Sequence, residues 1–413
     1  MTQHDDDFGD AEHATAEVRP KVPAIVERIG APTRGVFTTP APRRAYLVEQ
    51  VARFTDDDGN TKRIERHGVI GRGQLHILAG EGGSGKGRWL LAIAAALAAS
   101  ASRRDPDPAA MCELDLDGGM DNVCGLSVNG IEDNEKVLLL LGEDDAIDFH
   151  QRCEGVAEVL GFKDPAREDR FIERMRWGSA HGLTFSIVTA RKADGGIMVN
   201  ASTDFLGLVE WMKENGPWAF VGLDPMARFA GVDESDNPLQ HQVYSLVETL
   251  TAINGEGVPA PAVVVVDHTT KPSDGRGEAP SQHWIRGASA KVNAARVAMI
   301  MVPGGNKVAV DSEGRRASDA DFDETSGTAK VGIPLTTWHV VKNNGQPKAD
   351  PVELTFSVHG GLVGESVDVK RARQKRQWHA ANARGEVNPP KAAGTKTRKA
   401  DRDARMPSAG DDA

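Results

Sequence analysis

The first apolar anchors along the chain are Tyr46, Leu47 and Val51, in the stretch RAYLVEQV. FTDDDGNTKRIERHGVIGRG follows and predicts a turn or short hairpin leading into the core. From Leu75 a rhythm sets in of short apolar run, polar loop and helix. LHILAG is the first strand, and Lys86 to Ser100 is an alanine- and leucine-rich helix, apolar on most faces and therefore buried. VLLLLGE (137–143) is the second strand. The helix after it carries Phe149, Cys153, Val156 and Leu160 on one face. WAFVGLD (218–224) is the third. The next helix is expected to open with Asn237 as cap and Pro238 in the first turn, burying Val243, Leu246, Leu250 and Ile253. AVVVVD (262–267) and RVAMIMV (296–302) are the fourth and fifth strands. Continuous apolar strands alternating with helices predict an α/β fold, mainly a parallel sheet covered on both faces. KVAV, TTWHVV and VELTFSV then alternate like antiparallel hairpins added to the sheet edge.

Outside this rhythm the composition changes. Residues 1–44 are acid-rich and show no apolar periodicity, so a disordered tail is expected there. Residues 45–365 form the folded domain, and 366–413 a disordered basic tail. Residues 103–135 are acidic and contain glycine, and are expected to be a surface insertion. The length of 413 residues allows one large domain or two ordinary ones. Hydrophobic residues at 39% and charged ones at 26% are normal for a soluble globular chain. No run approaches the ~18 apolar residues of a membrane span, and the acidic start is not a signal peptide. Three cysteines without a C-x-x-C argue against a disulfide framework and a zinc site and suit a reducing cytoplasm. A net charge of -11 gives no global attraction to nucleic acid, although the basic C-terminal stretch opposes that average.

The candidate chemistry sits at the strand ends. AGEGGSGKGRW joins the first strand to its helix in the pattern G-x-x-x-x-G-K, which surrounds phosphate oxygens with backbone N–H groups and a helix N-terminus. Gly80, Gly82, Gly83, Ser84, Gly85, Lys86, Gly87 and Arg88 make this cradle, with Lys86 reaching the β- and γ-phosphates of ATP. Gly87 stands where Ser or Thr usually ligates magnesium. A serine there is expected to raise metal affinity. Asp224 ends the third strand and either holds Mg2+ or caps the turn that follows. Glu143 ends the second strand, where a carboxylate orients or deprotonates the attacking water. Asp145 beside it suits a helix cap. His268, at the fourth strand end, either senses the γ-phosphate or is structural. The loop HTTKPSDGRGEAPSQHWIRGASA leaves the same edge. It either contacts a nucleic-acid backbone, places an arginine in a neighbouring subunit's site, or is a plain surface loop. Arg286, Arg296 and Lys342 are the candidate trans-acting cations.

In order, GEGGSGKG, LLLLGEDD, FVGLDPMARFAGVDESDN, VVVVDHTTK, RGASAKVNAARVAMIM and VVKNNG resemble the RecA-fold ATPases of RepA-like and DnaB-like hexameric helicases of plasmids and phages. The resemblance runs from Tyr46 to Val363. It implies a RecA-like P-loop NTPase fold with ATP and Mg2+ bound between protomers of a ring. It also implies Lys86 on the phosphates, Glu143 as catalytic carboxylate, Asp224 on magnesium, His268 as sensor, and Arg286 and Lys342 near a subunit interface. The implied partners are a homo-oligomer, in the form of a hexamer, and single-stranded DNA. The segment before Tyr46 is too short for a primase, so priming would fall to a separate protein. The sequence departs from the family at Gly87, at Asp267 (a second histidine in many relatives) and in KNN, which lacks an arginine. Three functions therefore stand side by side: a DNA helicase or translocase, a RecA- or KaiC-like DNA-binding ATPase without unwinding, and a weakly catalytic nucleotide-binding partner module.

Overall fold

The computed structural model describes residues 45–55, 61–101, 120–162, 164–193, 196–270, 279–308, 333–357, 361–372 and 374–375. The expected N-terminal tail lies outside them, as do the C-terminal residues beyond 375. Strands β1 (Tyr46–Thr55) and β2 (Thr61–Gly71) pair as an antiparallel hairpin, and β3 (Leu75–Gly80) leads through the glycine-rich turn into α1 (Lys86–Ala99). Next come β4 (Met120–Val123), β5 (Leu126–Val128), β6 (Lys136–Leu141), α2 (Ala146–Leu160), α3 (Pro165–Arg174) and β7 (Met175–Ser179). The hairpin β8 (Val188–Ala193) and β9 (Gly196–Ala201) precedes α4 (Thr203–Asn215), β10 (Trp218–Asp224), α5 (Met226–Ala230) and α6 (Asn237–Thr249). The last elements are β11 (Ala262–His268), α7 (Ala288–Ala294), β12 (Val297–Val308), β13 (Ile333–Asn343), β14 (Val352–Phe356) and β15 (Leu362–Gly364).

One nine-stranded sheet runs β15-β14-β13-β12-β3-β11-β10-β6-β7. Its six strands from β12 to β7 are parallel, and β13, β14 and β15 are antiparallel additions at one edge. The expected fold class is thus the observed one in its architecture: an α/β fold with a mainly parallel sheet flanked by helices, whose C-terminal strands are antiparallel. Side chains alternate across a strand, and β11 shows the consequence. Val264 and Val266 enter a core with α1 and α2, while Val263 and Val265 enter a second core with α4 and α6. Burial on both faces is why these strands read as unbroken apolar runs. Helix α1 is buried from Trp89 to Ala99, and Trp89 stacks on Trp338 with ring centroids 6.1 Å apart.

Three boundaries differ from expectation. The 103–135 segment is not merely a surface insertion. Residues 102–119 lie outside the described ones, but Val123, Cys124, Leu126, Val128 and Ile131 are buried, and β5 pairs with β1 in a four-stranded sheet, β2-β1-β5-β4. The α6 cap is Asp236, whose carboxylate accepts from the Leu239 N–H at 3.1 Å. Pro238 then falls at the second helical position, where a missing N–H costs nothing. Helical backbone also continues past residue 365 through 367–372, with Val367 buried and Asp368 accepting from the Arg53 N–H at 2.6 Å.

Candidate functional site

All strand C-termini of the parallel block open on one edge, where a cavity of about 440 Å³ is lined by the glycine-rich turn, Lys86, Glu143, Asp224 and His268. Four short segments from different strands meet there because β3, β6, β10 and β11 are neighbours in parallel register. In the turn, Gly83 and Gly85 adopt φ of 75° and 90°, in the left-handed region that favours glycine. A Cβ at Gly82 or Gly83 would meet nothing within 4 Å, so the cradle is open towards a ligand. Gly80 serves packing instead: its Cβ would lie 2.7 Å from the Met301 carbonyl and the Ser84 hydroxyl. Ser84 is fully buried and is absent from the cavity lining.

Lys86 is 8% exposed, and its ammonium donates to the carbonyls of Gly80 (2.8 Å) and Glu81 (2.7 Å). Burial pushes its pKa down, while Asp224, Asp267 and Glu143 pull it back up. Asp224 shows the converse. Burial, with Asp144 adding, pushes its carboxyl up to about 6, against the pull of Arg152 and Lys86. Glu143 is exposed on the cavity wall, and its carbonyl oxygen lies 3.0 Å from His181 Nδ1. His268 closes β11. The residue before it, Asp267, faces away from the cavity into the protein. Asp267 accepts from the His268 N–H (2.7 Å) and the Tyr244 hydroxyl (2.6 Å) and pairs with Lys291 Nζ at 2.8 Å. Arg88 lies over the Phe356 ring at 4.9 Å, at the cavity mouth. Asp145 caps α2 through the N–H groups of Ile147 and Asp148, as its sequence position suggests.

Sequence reasoning missed Arg152. It projects from α2 into the cavity lining, with Nη1 2.5 Å from Asp144 Oδ2. Asp144 is therefore an ion-pair partner in the site rather than a cap. The expectation for Gly87→Ser also needs correction. A Cβ at Gly87 would stand 2.4 Å from Asp224 Oδ2 and 2.9 Å from Arg152 Nη1. The ends of these two side chains fill the space, so a serine has to shift them before it can offer a hydroxyl.

The three candidate cations from the C-terminal half lie outside this cavity lining. Lys342 is engaged internally, donating to the carbonyls of Val292 and Ala295 (2.7 Å) at the end of α7. Arg296 is exposed. Arg286 is also exposed, with Nε 3.2 Å from Glu234 Oε2. Lys271 and Arg276 lie outside the described residues.

Among the described residues no three His, Cys, Asp or Glu side chains cluster as a metal centre, and no helix is long and apolar enough to cross a membrane. Magnesium in nucleotide sites is held by one or two carboxylates, with phosphate and water completing its shell. Asp224, which lines the cavity beside Gly87, is a carboxylate of that kind.

No curated protein matches the chain. A solved structure described as a DnaB-like replicative helicase and its interactions with primase is similar at 11% identity and a TM-score of 0.38. The match covers 71% of this chain and 59% of that one, so this chain spans less than two thirds of its length. Residues 42–274, more than half of the chain, match the AAA domain family, and with its phosphate loop and parallel sheet the chain belongs to that family.

Proposed function

We propose that the protein is an ATP-hydrolysing motor that acts on single-stranded DNA as a homo-oligomeric ring, in the manner of a replicative helicase or translocase. The observation that supports this most is the meeting of Lys86, Asp224, Glu143 and His268 around one open phosphate cradle. The backbone N–H groups of the turn and the N-terminus of α1 take up the phosphates of ATP. Lys86 is held at the cradle by the Gly80 and Glu81 carbonyls and turns from them to the β- and γ-oxygens. Asp224 would hold Mg2+, which supplies positive charge against the phosphates. Glu143 orients a water in line with the γ-phosphorus and takes its proton. The new P–O bond forms as the bond to the β-phosphate oxygen breaks, leaving ADP and inorganic phosphate. His268, at the adjacent strand end, reads the departure of the γ-phosphate, and its backbone carbonyl accepts from the Arg286 N–H at 3.1 Å, which links that event to the Arg286 segment. Arg286 then acts as the cation offered to a neighbouring protomer. Any primase would be a separate partner.

The test is ATP turnover of the full chain with and without single-stranded DNA. Magnesium-dependent turnover that rises with DNA and falls to background in Lys86→Ala is expected. Tight ATP binding without turnover would leave the nucleotide-binding module as the better reading. Turnover and DNA binding without strand displacement would favour the recombination-type ATPase.

A further inference from the structure

Position 87 is in the first turn of α1, where phosphate loops ordinarily present a hydroxyl to the metal ion. Here the missing side chain leaves room, and two other side chains fill it. One point in space, the site of an absent Cβ, lies 2.4 Å from Asp224 Oδ2 and 2.9 Å from Arg152 Nη1. The Arg152 guanidinium thus stands on the same side of α1 as the carboxylate that would bind magnesium, near it but ion-paired with Asp144 instead. It is held there from α2 by Asp144, 2.5 Å away, and its side chain remains 32% exposed and lines the cavity. Its charge is felt across the site, stabilising charged Asp224 and opposing charge on Arg88. A guanidinium carries a fixed charge and a fork of donors matched to phosphate oxygens, so it can neutralise a polyphosphate as a divalent ion does.

We propose that Arg152 is a built-in cation of the nucleotide site, standing beside Asp224 in the space opened by Gly87, so that a nucleoside diphosphate or triphosphate binds with little dependence on a divalent cation. Gly87 and Arg152 are then a matched pair: the glycine admits the arginine, and the arginine supplies charge next to the carboxylate. The inference rests on the nucleotide-binding reading above, and its test separates the two.

Fluorescent ADP is titrated into the full chain in excess Mg2+ and again in excess EDTA, for the wild type, Arg152→Met and Arg152→Lys. The wild-type Kd is expected to rise by less than about threefold on chelation, and that of Arg152→Met by roughly tenfold or more, with Arg152→Lys in between. A wild-type loss of roughly tenfold on chelation, with binding intact in Mg2+, overturns the role of Arg152 and spares the nucleotide site. Equal affinities of wild type and Arg152→Met in EDTA overturn it as well. Binding in neither condition overturns both readings. The wild-type comparison needs no variant to fold, and Arg152→Lys keeps a cation opposite Asp144.

Discussion

At Asp224 stability and chemistry pull in opposite directions. Its carboxyl is raised to about 6, chiefly by burial, from about 4 in an unfolded chain. A carboxyl raised in the folded state holds its proton better there. Its stabilising contribution is complete at low pH and is lost as pH rises through about 6. Asp224→Asn is neutral at every pH and escapes that loss. In urea unfolding without nucleotide, the variant is expected to gain on the order of 1 kcal/mol over wild type at pH 8 and to match it near pH 4. A variant weaker than wild type at pH 8 would mean that Lys86 and Arg152 already compensate the charge in full. The same substitution is expected to abolish turnover, the usual trade of stability for activity at a functional carboxylate. The candidate role of Asp224 is legible from its place at the end of an apolar strand. Arg152 is not, because nothing in its local sequence separates it from an ordinary surface arginine of α2. The visible trace of it is Gly87, an absence whose cause lies 65 residues further along the chain only once the helix is folded back.

The buried triad of Tyr244, Asp267 and Lys291 joins α6, β11 and α7 behind the site, with the last two residues 0% and 1% exposed. Removing one member leaves an uncompensated charge in the interior. Lys291→Met is therefore expected to destabilise by about 3–5 kcal/mol, and the double variant Asp267→Asn/Lys291→Met to recover most of that loss. Urea unfolding of the two variants measures the difference. No recovery in the double variant would locate the cost in packing rather than charge. How well each element can be read depends on its burial. β3, β6, β10 and β11 are buried on both faces and stand out as unbroken apolar runs. β7, MRWGS, lies at the sheet edge with only Met175 buried, and lacks that signature. β4 and β5 have four and three residues; β5 takes its order from pairing with β1, about 80 residues away, and β4 from pairing with β5, which no local pattern reports. The α6 cap was displaced by one residue because Asp236 and Asn237 are equally suited to it.

At the scale of the whole molecule the proposed ring requires that one protomer complete its neighbour's site. Arg286 is 57% exposed in its ion pair with Glu234 and lies outside its own chain's cavity lining. Lys342 is committed to the end of α7, which leaves Arg286 the stronger of the two segments that the family resemblance places near an interface. A cation delivered in trans makes each site a property of two chains. Lys86→Ala then disables its own site but still presents a sound Arg286. Arg286→Ala keeps a sound phosphate loop and fails its neighbour. Each variant alone is expected to lose turnover, by about a thousandfold or more for the arginine. Mixed in equal amounts under conditions that let rings exchange protomers, they regenerate complete sites wherever an Arg286→Ala protomer's loop faces a Lys86→Ala protomer's arginine. That is roughly a quarter of the interfaces in a cyclic assembly. Turnover that reappears on mixing, in proportion to the fraction of mixed interfaces, is the expected result. If mixing restores nothing while exchange is verified by labelled protomers, Arg286 serves its own chain or none, and the cation that completes the site has to be sought at Arg296 or within the cavity, where Arg152 already stands.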